Sequence, residues 1–333
     1  MTMNKRSSRM LLFVLPVTAT YLAWGAYMFI TDSWKLFLHY FYMSIMMVLG
    51  SFIAGSSSEG GGAVAFPVMT LLFKVHPAEA RNFTLAIQSI GMSAATLWII
   101  ARKIRIERKY LLFAILGGLP GIVLGSYFVA PFTSPPYAKM LFVSFWLSFG
   151  IALFAADRSR RRAVLDQLPS LSGYQKAEMV LVGLVGGVLS SIVGTGVNIC
   201  TFSFVTMKYR LSEKIATPTS VILMAADSIM GFGLHLLIMR DIQPEVFYYW
   251  QVCIPVVMVG APLGAFVASR IRKRQLVYIL CSVIVAQFAG ALLIIRPTGA
   301  LLLFSAGAFL AGMTIFFLLT WHSSKQQLAN GGR

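Results

Sequence analysis

Long apolar blocks, separated by short polar or basic interruptions, fill almost the whole of this chain. Blocks at 10–30, 84–101, 110–130, 137–156, 216–239, 246–268, 276–295 and 298–320 match or approach the ~20 residues that a helix needs to cross a bilayer core. Two further blocks are broken by small polar residues. Residues 36–54 lead into Gly55-Ser56-Ser57-Ser58-Glu59-Gly60-Gly61-Gly62 and resume at 63–73. Residues 177–193 lead into Gly194-Thr195-Gly196 and resume at 197–207. The pattern predicts an all-α polytopic membrane protein with two glycine-broken hairpins.

An offset of 135 residues places Gly61 on Gly196, Thr84 on Thr219, Ile87 on Ile222 and Ser93 on Ser228. Interrupted hydrophobic segments at matching places in two halves point to the binding site of a secondary transporter. The division expected is an N-terminal helix at 1–35, a first transmembrane repeat at 36–156 and a basic cytoplasmic linker at 157–176. A second repeat at 177–295 and a C-terminal helix and tail at 296–333 complete it.

Composition agrees. The 333 residues are 58% hydrophobic and 12% charged, and mean hydropathy is +0.78. Cys200, Cys253 and Cys281 lie within apolar runs and fit neither a disulfide framework nor a metal-ligand spacing. The net charge of +17 would point to nucleic acid in a soluble protein. Here all but six of the 28 Lys and Arg residues fall near the termini or in the loops at 101–109, 157–176, 208–215 and 269–275. Lys35, Lys74, Arg81, Lys139, Arg240 and Arg296 stand alone. The positive-inside rule assigns the basic loops and both termini to the cytoplasm of a multi-pass protein of the plasma or inner membrane. Threading the blocks through that assignment opens the first hairpin outward and the second inward, so the two repeats are inverted.

Non-helical backbone at membrane depth is tolerated only where it is buried in protein or lines a water-filled cavity. Glycine lets successive N–H groups converge, and a helix that starts after the break presents its positive end, so both breaks suit an anion. The expected substrate-binding set is Ser57, Ser58, Gly60, Gly61, Gly62, Gly194, Thr195, Gly196 and Asn198. Asn82, Thr84, Gln88, Thr217 and Thr219 support it from the helices that follow, where Asn82 and Thr217 also read as N-caps. Arg81 either pairs with an anionic substrate or is a plain loop residue at the outer surface. Gly25, Gly50, Gly91, Gly117, Gly118, Gly121, Gly125, Gly183, Gly186 and Gly187 are expected to serve helix packing.

Glu59 and Asp227 are the acidic residues placed inside spans, where ionisable groups are functional candidates by default. A carboxylate beside an anion site must be neutral when the anion binds, which suits a group that loads and releases a proton. Both are therefore expected to couple protons, with an ion pair to Arg81 or a cap as the other reading of Glu59. His235, eight positions after Asp227, reads as an ordinary hydrogen-bonded histidine near the outer end of its helix.

Gly60-Gly61-Gly62 followed by Pro67, the weaker Gly194-Thr195-Gly196, and the polar starts of the next helices resemble the sulfite exporter TauE/SafE family, also called the toluene sulfonate uptake permease family. The likeness covers roughly residues 40–295. Thr195 interrupts the second glycine run, and Phe202 stands where the first half has Pro67. The resemblance implies a carrier of sulfite, organosulfonates or related small anions. The expected activity is proton-coupled uptake, with export of the same anions or an anion channel as alternatives. No nucleophile, base or metal constellation points to an enzyme. The expected partners are a small anion, protons and the lipid bilayer, with no cofactor and no nucleic acid; the oligomeric state is open.

Overall fold

The computed structural model describes residues 5–58, 60–158, 165–168, 170–270 and 273–330. In chain order the helices are α1 (Lys5–Ile30), α2 (Leu36–Ser56), α3 (Gly62–Pro67), α4 (Pro77–Ala101), α5 (Arg108–Phe128) and α6 (Pro135–Arg158). Then come α7 (Gly173–Val193), α8 (Val197–Met207), α9 (Glu213–Gly233), α10 (Pro244–Ala268), α11 (Lys273–Ile295) and α12 (Gly299–Asn330). Wider π-helical turns extend α3 over Val68–Leu72 and α9 over Leu234–Met239. Among the described residues nine helices are long and apolar enough to cross a membrane, and the β-structure is a single bridge between Leu165 and Leu211. The protein is an all-α, multi-pass membrane protein.

The packing is reciprocal between the halves. α2 lies along α10, α7 lies along α5, and α4 meets α9 between them. Small residues make these approaches possible. A Cβ on Gly117 or Gly121 would collide with backbone of Val180 or Leu184 on α7, and one on Gly187 would collide with Gly118 and Gly121 on α5. On the other side Gly55 faces the backbone of Ala261, and Gly264 faces that of Phe52 and Ser56. Small residues four apart let membrane helices approach to backbone contact, where dispersion replaces the missing hydrophobic drive. Gly25 departs from the expected packing role: a Cβ there would meet nothing within 4 Å.

Among the nine long helices α4 sits deepest, with 67% of its most apolar window buried, and α1 is peripheral, with 0%. α1 nevertheless repairs a defect in α10. Pro255 has no N–H for the carbonyl of Gln251 one turn earlier. Trp24 Nε1 donates to that carbonyl at 2.8 Å, and Tyr21 Oη donates to the Pro255 carbonyl at 2.6 Å. Ser44 on α2 donates to the Val252 carbonyl at 2.8 Å. Backbone groups with no water to turn to need such partners.

α4 begins at Pro77 behind a His76 cap, and α9 begins at Glu213 behind Ser212. Asn82 and Thr217 are therefore interior helical residues, which corrects their reading as N-caps. The polar residues Glu79, Glu213 and Lys214 interrupt the apolar run without interrupting the helix, because an amphipathic first turn is tolerated at a membrane surface.

Candidate functional site

Both halves run helix, break, short helix. α2 ends at Ser56, and Gly60 adopts φ 83° before α3 begins. α7 ends at Val193 and is capped by Gly194, φ 80°, before the 11-residue α8. Left-handed backbone at these two positions explains the glycines, because a side chain there costs roughly 1–2 kcal/mol.

The two breaks touch. Asn198 Nδ2, at the start of α8, donates to the Ser58 carbonyl at 2.5 Å. Its Oδ1 accepts from Thr195 Oγ1 at 3.1 Å and from the Gly196 amide at 3.2 Å. A Cβ on Gly62 would stand 2.7 Å from Thr84 and 2.9 Å from Thr195, and one on Gly194 would stand 2.7 Å from Thr84. Thr84 thus sits against both breaks from α4. Gln88, one turn further on, donates through Nε2 to the carbonyls of Gly194 at 2.9 Å and Thr84 at 3.1 Å. Its Oε1 lies 2.9 Å from the Cβ position of Gly60. That oxygen and Thr84 Oγ1 are buried with no partner among the described residues.

Some of the amide donors expected to form an anion nest at the second break are already engaged. Gly196 N–H is taken by Asn198, and Val197 N–H donates to Ser190 Oγ at 3.1 Å. The Ser190 hydroxyl in turn meets Asp227 from α9. Asp227 is buried, and its Oδ1 has no partner among the described residues. Asp227 therefore stands one hydroxyl away from the start of α8. Ser57 Oγ donates back to the Ile53 carbonyl at 2.8 Å, and the Gly61 carbonyl accepts from the amides of Val64 and Ala65. Glu59 lies outside the described residues.

Three predicted residues face elsewhere. Asn82 Nδ2 donates to the Asp241 carbonyl and to Gln243 Oε1, each at 3.1 Å. Thr217 lines a cavity at the end of the molecule that carries the basic loops. Thr219 Oγ1 accepts from the Glu107 amide at 2.9 Å and donates to the Ile215 carbonyl at 2.6 Å. The cavity holds about 370 Å³ and runs from Arg105, Asp166 and Lys214 past Ala265 to Gly55 at the first break. The loops that the charge count assigned to one side thus gather at one end of the molecule.

At the opposite end stands a polar cluster around Arg81, a buried residue rather than a loop residue. Its Nη2 faces Asp241 Oδ2 at 3.3 Å and Asn82 Oδ1 at 3.0 Å, while Nη1 donates to the Ser191 carbonyl at 3.3 Å. Asp241 Oδ1 also meets His235 Nδ1 at 2.8 Å, and His235 Nε2 meets Ser126 Oγ at 3.3 Å. The histidine is the ordinary hydrogen-bonded one that its position predicts. Asp241 and Gln243 escaped the sequence reading because they lie between spans. The only signal was an acidic side chain one residue beyond a solitary arginine at a helix end.

The family described as sulfite exporter TauE/SafE matches residues 42–287. The chain belongs to the TauE/SafE family. That family is one of transporters, so the chain is a transporter and not an enzyme. The TauE/SafE match takes in both breaks and the Arg81 cluster, while α1, the start of α2, the end of α11 and α12 lie outside it. Among the described residues no group of three or more His, Cys, Asp or Glu side chains is placed to hold a metal ion. No curated protein and no solved structure matches the chain.

Proposed function

We propose that this protein is a secondary transporter of small sulfur-containing anions, an organosulfonate or sulfite, and that it takes them up with protons. The substrate site in this reading is the junction of the two breaks, and the two repeats, 36–156 and 177–295, are inverted in the membrane with both termini cytoplasmic. The observation that carries the reading is the Asn198–Ser58 bond, which joins the breaks beside Thr84 and Gln88, whose unpartnered oxygens are buried. Reciprocal packing of α2 on α10 and α7 on α5 supports the inverted repeats.

Protons enter through carboxylates. An anion leaving a cell that is negative inside is driven outward by ~2.3 kcal/mol per charge per 100 mV, so uptake needs a second driving ion. Asp227, joined to α8 through Ser190, and Glu59 in the first break are the proposed carriers. A neutral acid lets the anion bind; release of the proton expels it.

Flux into proteoliposomes tests both parts. Gln88→Ala should weaken organosulfonate or sulfite uptake about tenfold, the effect of losing ~1.4 kcal/mol of binding, while the protein stays monodisperse. Asp227→Asn mimics the protonated acid. It should keep anion exchange, lose its response to pH and fail to accumulate substrate on a proton gradient. Undiminished gradient-driven accumulation by Asp227→Asn and by Glu59→Gln would end the coupling proposal. Parental affinity in Gln88→Ala would end the site.

A further inference from the structure

Three helices pass the breaks, and each joins the same two ends. α4 carries Arg81 and Asn82 at one end, Thr84 and Gln88 beside the breaks, and Ile99 at the cavity. α9 carries Thr217 at the cavity, Met224 and Asp227 beside the breaks, and leads to His235 and Asp241. α10 follows Gln243 at the clustered end, meets Gly55 through Ala261, and reaches the cavity at Ala265. From Arg81 to Ile99 the helical rise is about 27 Å. The polar cluster and the cavity therefore lie on opposite sides of the breaks.

The two ends are in opposite states. The cavity is open and reaches the first break at Gly55. The other end is held by charged and polar contacts among α4, the α9–α10 connection and the end of α7. Arg81 links them to the site: its guanidinium holds both Asp241 and the carbonyl of Ser191, and its own carbonyl is 3.0 Å from the Cβ position of Gly194. A shift of the second break must therefore pull on the Asp241 contact.

We propose that the Arg81–Asp241 pair, with the Asn82–Gln243 bond, is a gate that closes the molecule on the side away from the cavity, and that it opens as the cavity closes. This rests on the transport reading and adds its closing element. Its chemistry suits repeated opening. The Asp241 side chain is 39% exposed and the Arg81 side chain 8%, so water reaches one partner already and can replace the pair as it parts. A closure of packed apolar side chains would lose burial with no such substitute. Packed interfaces with two discrete arrangements are the usual switching elements, and a substitution that weakens one of them moves the population toward the other.

The test reads both ends at once. In a background with Cys200, Cys253 and Cys281 replaced, Thr84→Cys reports the gated side and Thr217→Cys the cavity. Each is labelled with a membrane-impermeant thiol reagent applied to either face. Asp241→Asn and the milder Gln243→Ala should raise the rate at Thr84→Cys from the gated side, by about tenfold for Asp241→Asn, a shift of ~1.4 kcal/mol. They should lower it at Thr217→Cys from the cavity side. Unchanged rates at both reporters overturn the gate, and a rise at both, the mark of a loosened protein, overturns it equally. Reciprocal labelling in a protein whose parent moves neither sulfite nor an organosulfonate would overturn the transport reading while upholding the closure.

Discussion

The Asp241 carboxylate lies between Arg81 and His235, at 3.3 and 2.8 Å. Partial burial works against its charge. The His235 hydrogen bond and the charge of Arg81 outweigh that and hold the carboxyl below the ordinary aspartate range. A group held low in the folded state contributes stability at pH values above its unfolded pKa and loses it as pH falls through the folded value. The ordinary value is about 3.9. The melting temperature of Asp241→Asn should thus lie furthest below the parent near neutral pH, and the gap should narrow under about pH 4. A gap that stays constant with pH would mean that the carboxylate contributes shape and no charge. The effect is modest, because solvent screens a side chain that is this exposed.

At the scale of elements, glycines divide into those that a helix pair needs and those that it tolerates. Gly121 on α5 faces the backbone of Leu184, while Gly25 on α1 meets nothing within 4 Å. Gly121→Ala should separate α5 from α7 and lower stability by about 1–3 kcal/mol, the range of overpacked cores. Gly25→Ala should leave stability unchanged or raise it by up to ~1 kcal/mol through helix propensity. Unfolding in detergent followed by circular dichroism compares them; equal losses would contradict the packing described. The sequence marked both residues alike, because it shows a missing side chain and not what stands opposite.

For the whole molecule the prediction is topological. Single cysteines replacing Lys214 or Ser269, beside the cavity, should react with an impermeant thiol reagent only from the cytoplasmic face. Those replacing Lys74 or Arg240 should react only from outside. The opposite result would invert the molecule and, with it, the direction assigned to the cavity. Arg105, Asp166, Lys214 and Ser269 line one cavity, so the grouping of the basic loops was legible from charge. The proposed orientation rests on the cost of moving Lys and Arg across the bilayer during insertion.

Apolar length, charge placement and glycine content are properties of short stretches, and their energies act on each stretch separately. From them alone came the membrane class, the positions of the spans and both breaks. Thr84, Gln88 and Asp227 were legible as polar residues in apolar surroundings, where they stand out on energetic grounds. What they face was not. Asn82 resembles Thr84 in its sequence setting, yet it turns to Asp241 and Gln243, about 160 residues away. Arg81 read as a lone cation until the fold brought Asp241 and Ser191 to it. Partners so distant in the chain are chosen by which helices pack together, and that depends on small residues meeting backbone across α2–α10 and α5–α7. Such complementarity belongs to pairs of surfaces, so only the tertiary structure could decide which polar residues meet at the breaks and which seal the end beyond them.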